Sequence, residues 1–102
     1  MKYGMCFKLD VYWMDEQRAD EIITSPGDYM RMTDWMKANM EDDGTTAHEL
    51  ATNYAIAWFA MRRLGKTDGI PAQLSRDAIL DMADRFTVYV NNVEDDSLPL
   101  AR

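Results

Sequence analysis

Hydrophobic and polar positions divide the chain into one alternating stretch and three stretches of helical period. Near the N-terminus Met5, Phe7, Leu9, Val11 and Trp13 alternate with Cys6, Lys8, Asp10, Tyr12 and Met14. Period two with one uniformly apolar face predicts a half-buried strand, starting near Gly4. Residues 15–18 are polar and read as a turn. Glu21-Ile22-Ile23-Thr24 then returns as the second strand of a hairpin. The competing reading is a short helix over residues 16–23, because Glu, Gln, Arg and Ala are good helix formers. A lone hairpin is marginal in water, so it must lean on helices or on another copy's edge.

Ser25-Pro26-Gly27-Asp28 is a helix start, with a capping serine, proline at the first helical position and an acid at the positive end. The first helix is expected to run to Asn39 or Met40, with Tyr29, Met32, Met36 and Met40 sharing a face and Met30 and Trp35 flanking it. Glu41-Asp42-Asp43-Gly44 lacks the alternating ligand spacing of a calcium loop and reads as a solvated connection.

The longest helical pattern is Ala47–Leu64, AHELATNYAIAWFAMRRL. Thr46 and Glu49 fit a capping box, Arg62 and Arg63 suit the last turn, and Gly65 suits a left-handed C-cap. Leu50, Tyr54, Trp58 and Met61 share one face, expected to be core. Ile56, Phe59 and Ala60 lie opposite. A helix apolar nearly all round is sandwiched between two layers or meets a partner. After turn chemistry at Asp68-Gly69 and Pro71, Ser75 caps a last helix expected over residues 76–91. Its inner stripe is Ile79, Met82, Ala83, Phe86 and Val90, extending to Val93, and its outer face carries Asp77, Asp81, Asp84 and Arg85. The β-branched Thr87, Val88 and Val90 weaken its final turn. The expected fold is therefore mainly α (α+β), a three-helix domain with a short N-terminal β-hairpin over residues 1–93. An acidic flexible tail is expected over residues 94–102.

Composition narrows the function. The 102 residues carry a net charge of −7, which argues against binding a nucleic-acid backbone. The single Cys6 cannot form an internal disulfide. No apolar run approaches a membrane span or a secretory leader, so a cytoplasmic protein without a membrane partner is expected. Nine methionines suit both core filling and adaptable helix-binding surfaces.

No catalytic constellation emerges. His48 is the only histidine and reads as a surface residue near a helix cap. No second His or Cys supports a metal site or a nucleophile–base pair. Asp42 with Asp43 and Asp81 with Asp84 are charge-rich faces before they are catalytic pairs. The expectation is a non-enzyme with no cofactor and no metal.

Three stretches in order resemble the tail assembly chaperones of long-tailed bacteriophages and prophages. They are the opening strand leading into IITSPGDYMRMTDWMKAN, the apolar helix YAIAWFAMRRLGKTDGI, and the amphipathic ILDMADRFTVYV before a short acidic end. The resemblance implies a mostly helical cytoplasmic protein of the bacterial host. Its implied task is to bind and shield the helical tape-measure protein during tail assembly. Members are often made in two lengths by a ribosomal frameshift, and this chain would be the short form. Met30, Trp35, Ile56 and Phe59 are the candidate partner-binding residues, because each lies off its helix's main stripe. A homo-oligomer is compatible with this reading. The alternative function is a small acidic phage-encoded regulatory or inhibitory protein that binds a host protein, motivated by the net charge and the acidic faces.

Overall fold

The alternating stretch forms β1 (Phe7–Trp13), and a four-residue turn with Gln17 at φ 50° leads into β2 (Arg18–Ile23). The computed structural model describes residues 6–92. The pairing is antiparallel, with Leu9 opposite Ile22 and Trp13 opposite Arg18, so residues 18–23 are strand and not helix. Gly4, Val93 and the expected tail at residues 94–102 lie outside the described residues.

Three helices follow: α1 (Pro26–Asn39), α2 (Thr46–Arg63) and α3 (Arg76–Arg85). Ser25 caps α1 in a reciprocal capping box with Asp28. The cap of α2 is Thr45, whose hydroxyl accepts from the His48 N–H, one residue before the expected Thr46. At its other end Gly65 takes φ 74°, while Gly65 N–H donates to the Arg62 carbonyl and Lys66 N–H to the Met61 carbonyl. That pair of bonds is the Schellman arrangement, and the left-handed residue it needs is glycine.

The expected fold class is corrected at the C-terminal end. The segment read as one helix over residues 76–91 is α3 followed directly by β3 (Phe86–Asn92). β3 pairs antiparallel with the second edge of β1, giving a three-stranded sheet in the order β2-β1-β3. The protein is α+β and not mainly α. The physical reason lies in Thr87, Val88, Tyr89 and Val90, β-branched and aromatic side chains that fit a pleated surface better than a helix. The hairpin alone lacked enough partners, and β3 supplies the third strand.

One face of this sheet is buried. Leu9, Val11, Trp13, Ile22, Phe86 and Val88 point toward the helices, whereas Tyr12 and Tyr89 stand on the outer face with their rings edge to face at 5.6 Å. α2 is the sandwiched element, buried at Tyr54 and Met61 on one side and at Ile56 and Ala60 on the other. Its Tyr54 side meets Phe86 of β3. Arg63, two turns beyond Ile56 on the same side, bonds to Asp28 of α1, so that side faces α1. The all-round apolar pattern of α2 is thus satisfied mainly from within the domain.

Candidate functional site

An apolar opening lies between the first half of α2 and α3. It is a cleft of about 420 Å³ whose walls include Met40, Leu50, Tyr54, Ile79, Leu80 and Ala83. Leu50 is 50% exposed and Leu80 64%, one on each bank. The spacing explains the placement: Ala47, Leu50, Ala51 and Tyr54 fall on one face of α2, and Arg76, Ile79, Leu80 and Ala83 on one face of α3. α3 is ten residues long and ends where Phe86 enters the sheet beside Tyr54.

A polar hollow of about 340 Å³ adjoins the cleft and shares Met40, Ala47 and Arg76 with it. Its walls bring Glu41, Asp43, Thr45 and His48 together. Asp43 accepts from the Thr45 hydroxyl at 2.6 Å and from the Thr45 N–H at 3.1 Å. These bonds to the charged form hold its carboxyl below the ordinary carboxylate range. Asp42 accepts from the Gly44 N–H, and its carboxylate lies 3.8 Å from His48 Nε2. The loop between α1 and α2 is therefore ordered by its own acids and presents negative charge at one mouth of the cleft. Along α3, Asp77 and Asp84 lie three residues before and four after Leu80, so both flank it on the exposed bank. Arg76 is the cation among the lining residues.

The partner-binding residues expected from sequence do not line this cleft. Met30 is 64% exposed on α1, away from the cleft walls. Trp35 and Phe59 are half-buried against the core, and Phe59 packs edge to face on Trp58 at 5.1 Å. Ile56 is buried at 3% exposure and is unavailable as a contact surface. Conversely, Leu50 was expected in the core and stands half in solvent. The side of α2 facing α1 is closed at Ile56 and Ala60, and the expected core face is buried at Tyr54, Trp58 and Met61 but open at Leu50. What sequence reading missed was Leu80. It sits among the acids of the α3 outer face, and an apolar residue on a charged face was the available signal.

Elsewhere, Trp13 Nε1 donates to Asp20 at 3.0 Å, and the Arg18 guanidinium lies 4.3 Å from the Trp13 ring centroid. This cluster closes the turn end of the sheet around a small hollow. Among the described residues no three His, Cys, Asp or Glu side chains converge in a way that would hold a metal ion, and no helix is long and apolar enough to cross a membrane. No protein-family model matches the chain, and no curated protein or solved structure matches it.

Proposed function

We propose that this chain is a non-enzymatic binding protein that holds an amphipathic helix of a partner in the α2–α3 cleft. In biological terms it would be a tail assembly chaperone of a long-tailed phage or prophage, with the tape-measure protein as its client. The observation that carries the binding reading is the cleft itself, where Leu50 and Leu80 leave apolar surface open on two rigid helices. Side chains on helices i, i+3 and i+4 apart can anchor in such a groove. The acids at its rim, Glu41, Asp43, Asp77 and Asp84, fit a partner helix that carries Lys or Arg beside its apolar stripe. The tape-measure assignment is supported by the three sequence stretches and not by the architecture, since the resemblance implies a mostly helical protein.

Co-purification with the tape-measure protein encoded beside this chain tests both levels. The expected result is a complex that is lost in the Leu50→Gln, Leu80→Gln double variant. A complex unaffected by that variant places the site elsewhere. Failure to bind any basic amphipathic helix, the tape-measure segments included, rejects the chaperone reading. Ionic strength separates it from an acidic inhibitor: charge mimicry weakens steeply with salt, and apolar burial only modestly.

A further inference from the structure

The sheet has two outer edges, and they differ in chemistry. β2 carries Arg18, Asp20 and Glu21, with Glu21 paired to Lys8 at 3.5 Å and Arg18 to Asp20 at 3.4 Å. Charge on an edge strand discourages pairing with another strand. Residues 86–92 of β3 contain no charged residue, no proline and no glycine.

The hydrogen-bond phase shows what the β3 edge offers. Met14 N–H donates to the Arg85 carbonyl at 3.0 Å. Counting by two in the β1–β3 register makes Tyr12–Thr87, Asp10–Tyr89 and Lys8–Asn91 the bonded pairs. Thr24 N–H donates to the Phe7 carbonyl, which places the alternate residues of β1 toward β2 and confirms the phase. The backbone groups of Phe86, Val88 and Val90 therefore point away from β1. Phe86 is satisfied internally, its N–H by the Met82 carbonyl and its carbonyl by the Tyr54 hydroxyl. Val88 and Val90 have no backbone partner among the described residues. The side chains agree: Val90, on the helix-facing side, is 36% exposed although its register partner Leu9 is 0% exposed. Tyr89, on the opposite side, is 57% exposed. A sheet that continued beyond β3 would cover both.

We propose that β3 pairs antiparallel with β3 of a second copy about a two-fold axis at Tyr89, joining two three-stranded sheets into one of six strands. In that register Val88 of each copy lies opposite Val90 of the other, and the outward groups of both residues are satisfied. The two Tyr89 rings meet at the axis in a non-hydrogen-bonded pair, where cross-strand side chains lie closest. The occupant is a second copy because the edge is self-complementary. It is a neutral strand on a chain of net charge −7, so two copies meet there without a carboxylate of either β3 facing the other.

Sedimentation of the full chain over a concentration series, with amide exchange, tests this. The expected species has twice the 11.8 kDa chain mass, with slow exchange at Val88 and Val90 that quickens on dilution. Val90→Pro removes only an N–H that faces away from β1, and Tyr89→Lys places charge at the axis. Both are expected to lose the dimer while keeping the circular dichroism of the wild type. Should Val90→Pro unfold, Tyr89→Lys and the wild-type exchange pattern decide. A wild-type chain that stays at 11.8 kDa throughout overturns the proposal. So does a dimer that survives Tyr89→Lys with Val88 and Val90 exchanging freely.

Discussion

The Tyr54 hydroxyl donates to the Phe86 carbonyl at 2.7 Å, at the residue where α3 becomes β3. The two rings also touch, with centroids 5.5 Å apart, and Phe86 lies 4.6 Å from Trp13 on its other side. One side chain of the central helix thus fixes the point at which a helical path turns into an extended one. Tyr54→Phe keeps the ring and removes the donor, leaving a buried carbonyl without its partner. The expected loss is about 1–3 kcal/mol in chemical denaturation, the penalty for a buried unsatisfied group. A change within experimental error would show that water replaces the hydroxyl there.

The same residue makes stability depend on alkaline pH. Burial raises the Tyr54 phenol above its ordinary 10.0. A folded value above the unfolded one means that the folded state holds the proton more tightly. The contribution is fully present below pH 10.0 and is lost as pH rises through the folded value. The stability advantage of wild type over Tyr54→Phe should therefore shrink as pH is raised past that point. Denaturation midpoints of both proteins across the alkaline range check this, since the other tyrosines and the lysines cancel in the difference. An advantage that grows with pH would contradict the sign.

How much of this was legible beforehand differs by element. Ser25, Asp28, Ser75 and Gly65 are local signals, and each acts where its chemistry places it, because a cap depends on only a few neighbouring residues. β3 was hidden because Ile79, Met82, Phe86 and Val90 continue a helical stripe, while Phe86, Val88 and Val90 equally alternate with Thr87, Tyr89 and Asn91. No glycine or proline separates α3 from β3 to mark the change. What decides it is a distant partner, the open edge of β1, 73 to 85 residues earlier in the register. The cleft was hidden for a related reason. Periodicity shows that Leu50 and Tyr54 share a face, but how far α3 covers that face depends on tertiary placement that periodicity does not carry.

Asp28 and Arg63 make a further asymmetric prediction. The Asp28 side chain is fully buried and accepts from Arg63 Nε at 2.9 Å and from the Ser25 N–H at 2.9 Å. Arg63 also donates to the Ile23 carbonyl at 3.0 Å, so it ties β2, α1 and α2 together. Its own side chain is 36% exposed. Arg63→Ala leaves a buried carboxylate with the Ser25 N–H bond and, as its cation, only Arg31 at the longer 3.6 Å, and should cost roughly 3 kcal/mol. Asp28→Asn frees an arginine that can turn to water, and should cost about 1–2 kcal/mol, chiefly the weakened cap. The order of the two midpoints is the measurement. If Asp28→Asn is the more damaging, the carboxylate serves the cap more than the ion pair.

The cleft predicts a separation between stability and binding. Leu80 is 64% exposed and Leu50 50%, so replacing them removes little buried surface. Gln keeps helix propensity and adds no charge. Leu80→Gln should shift stability by no more than about 0.5 kcal/mol, as surface changes do. If an apolar partner side chain covers Leu80 in the complex, the same change should weaken binding of a basic amphipathic helix by about 1–2 kcal/mol, or roughly tenfold. Met30→Gln, on an equally exposed residue of α1, should leave binding unchanged. Titration calorimetry with one helical peptide against the three proteins decides between the faces. Equal losses from Leu80→Gln and Met30→Gln would mean that the partner reads diffuse apolar surface. A loss confined to Met30→Gln would return the site to α1, where the off-stripe argument placed it.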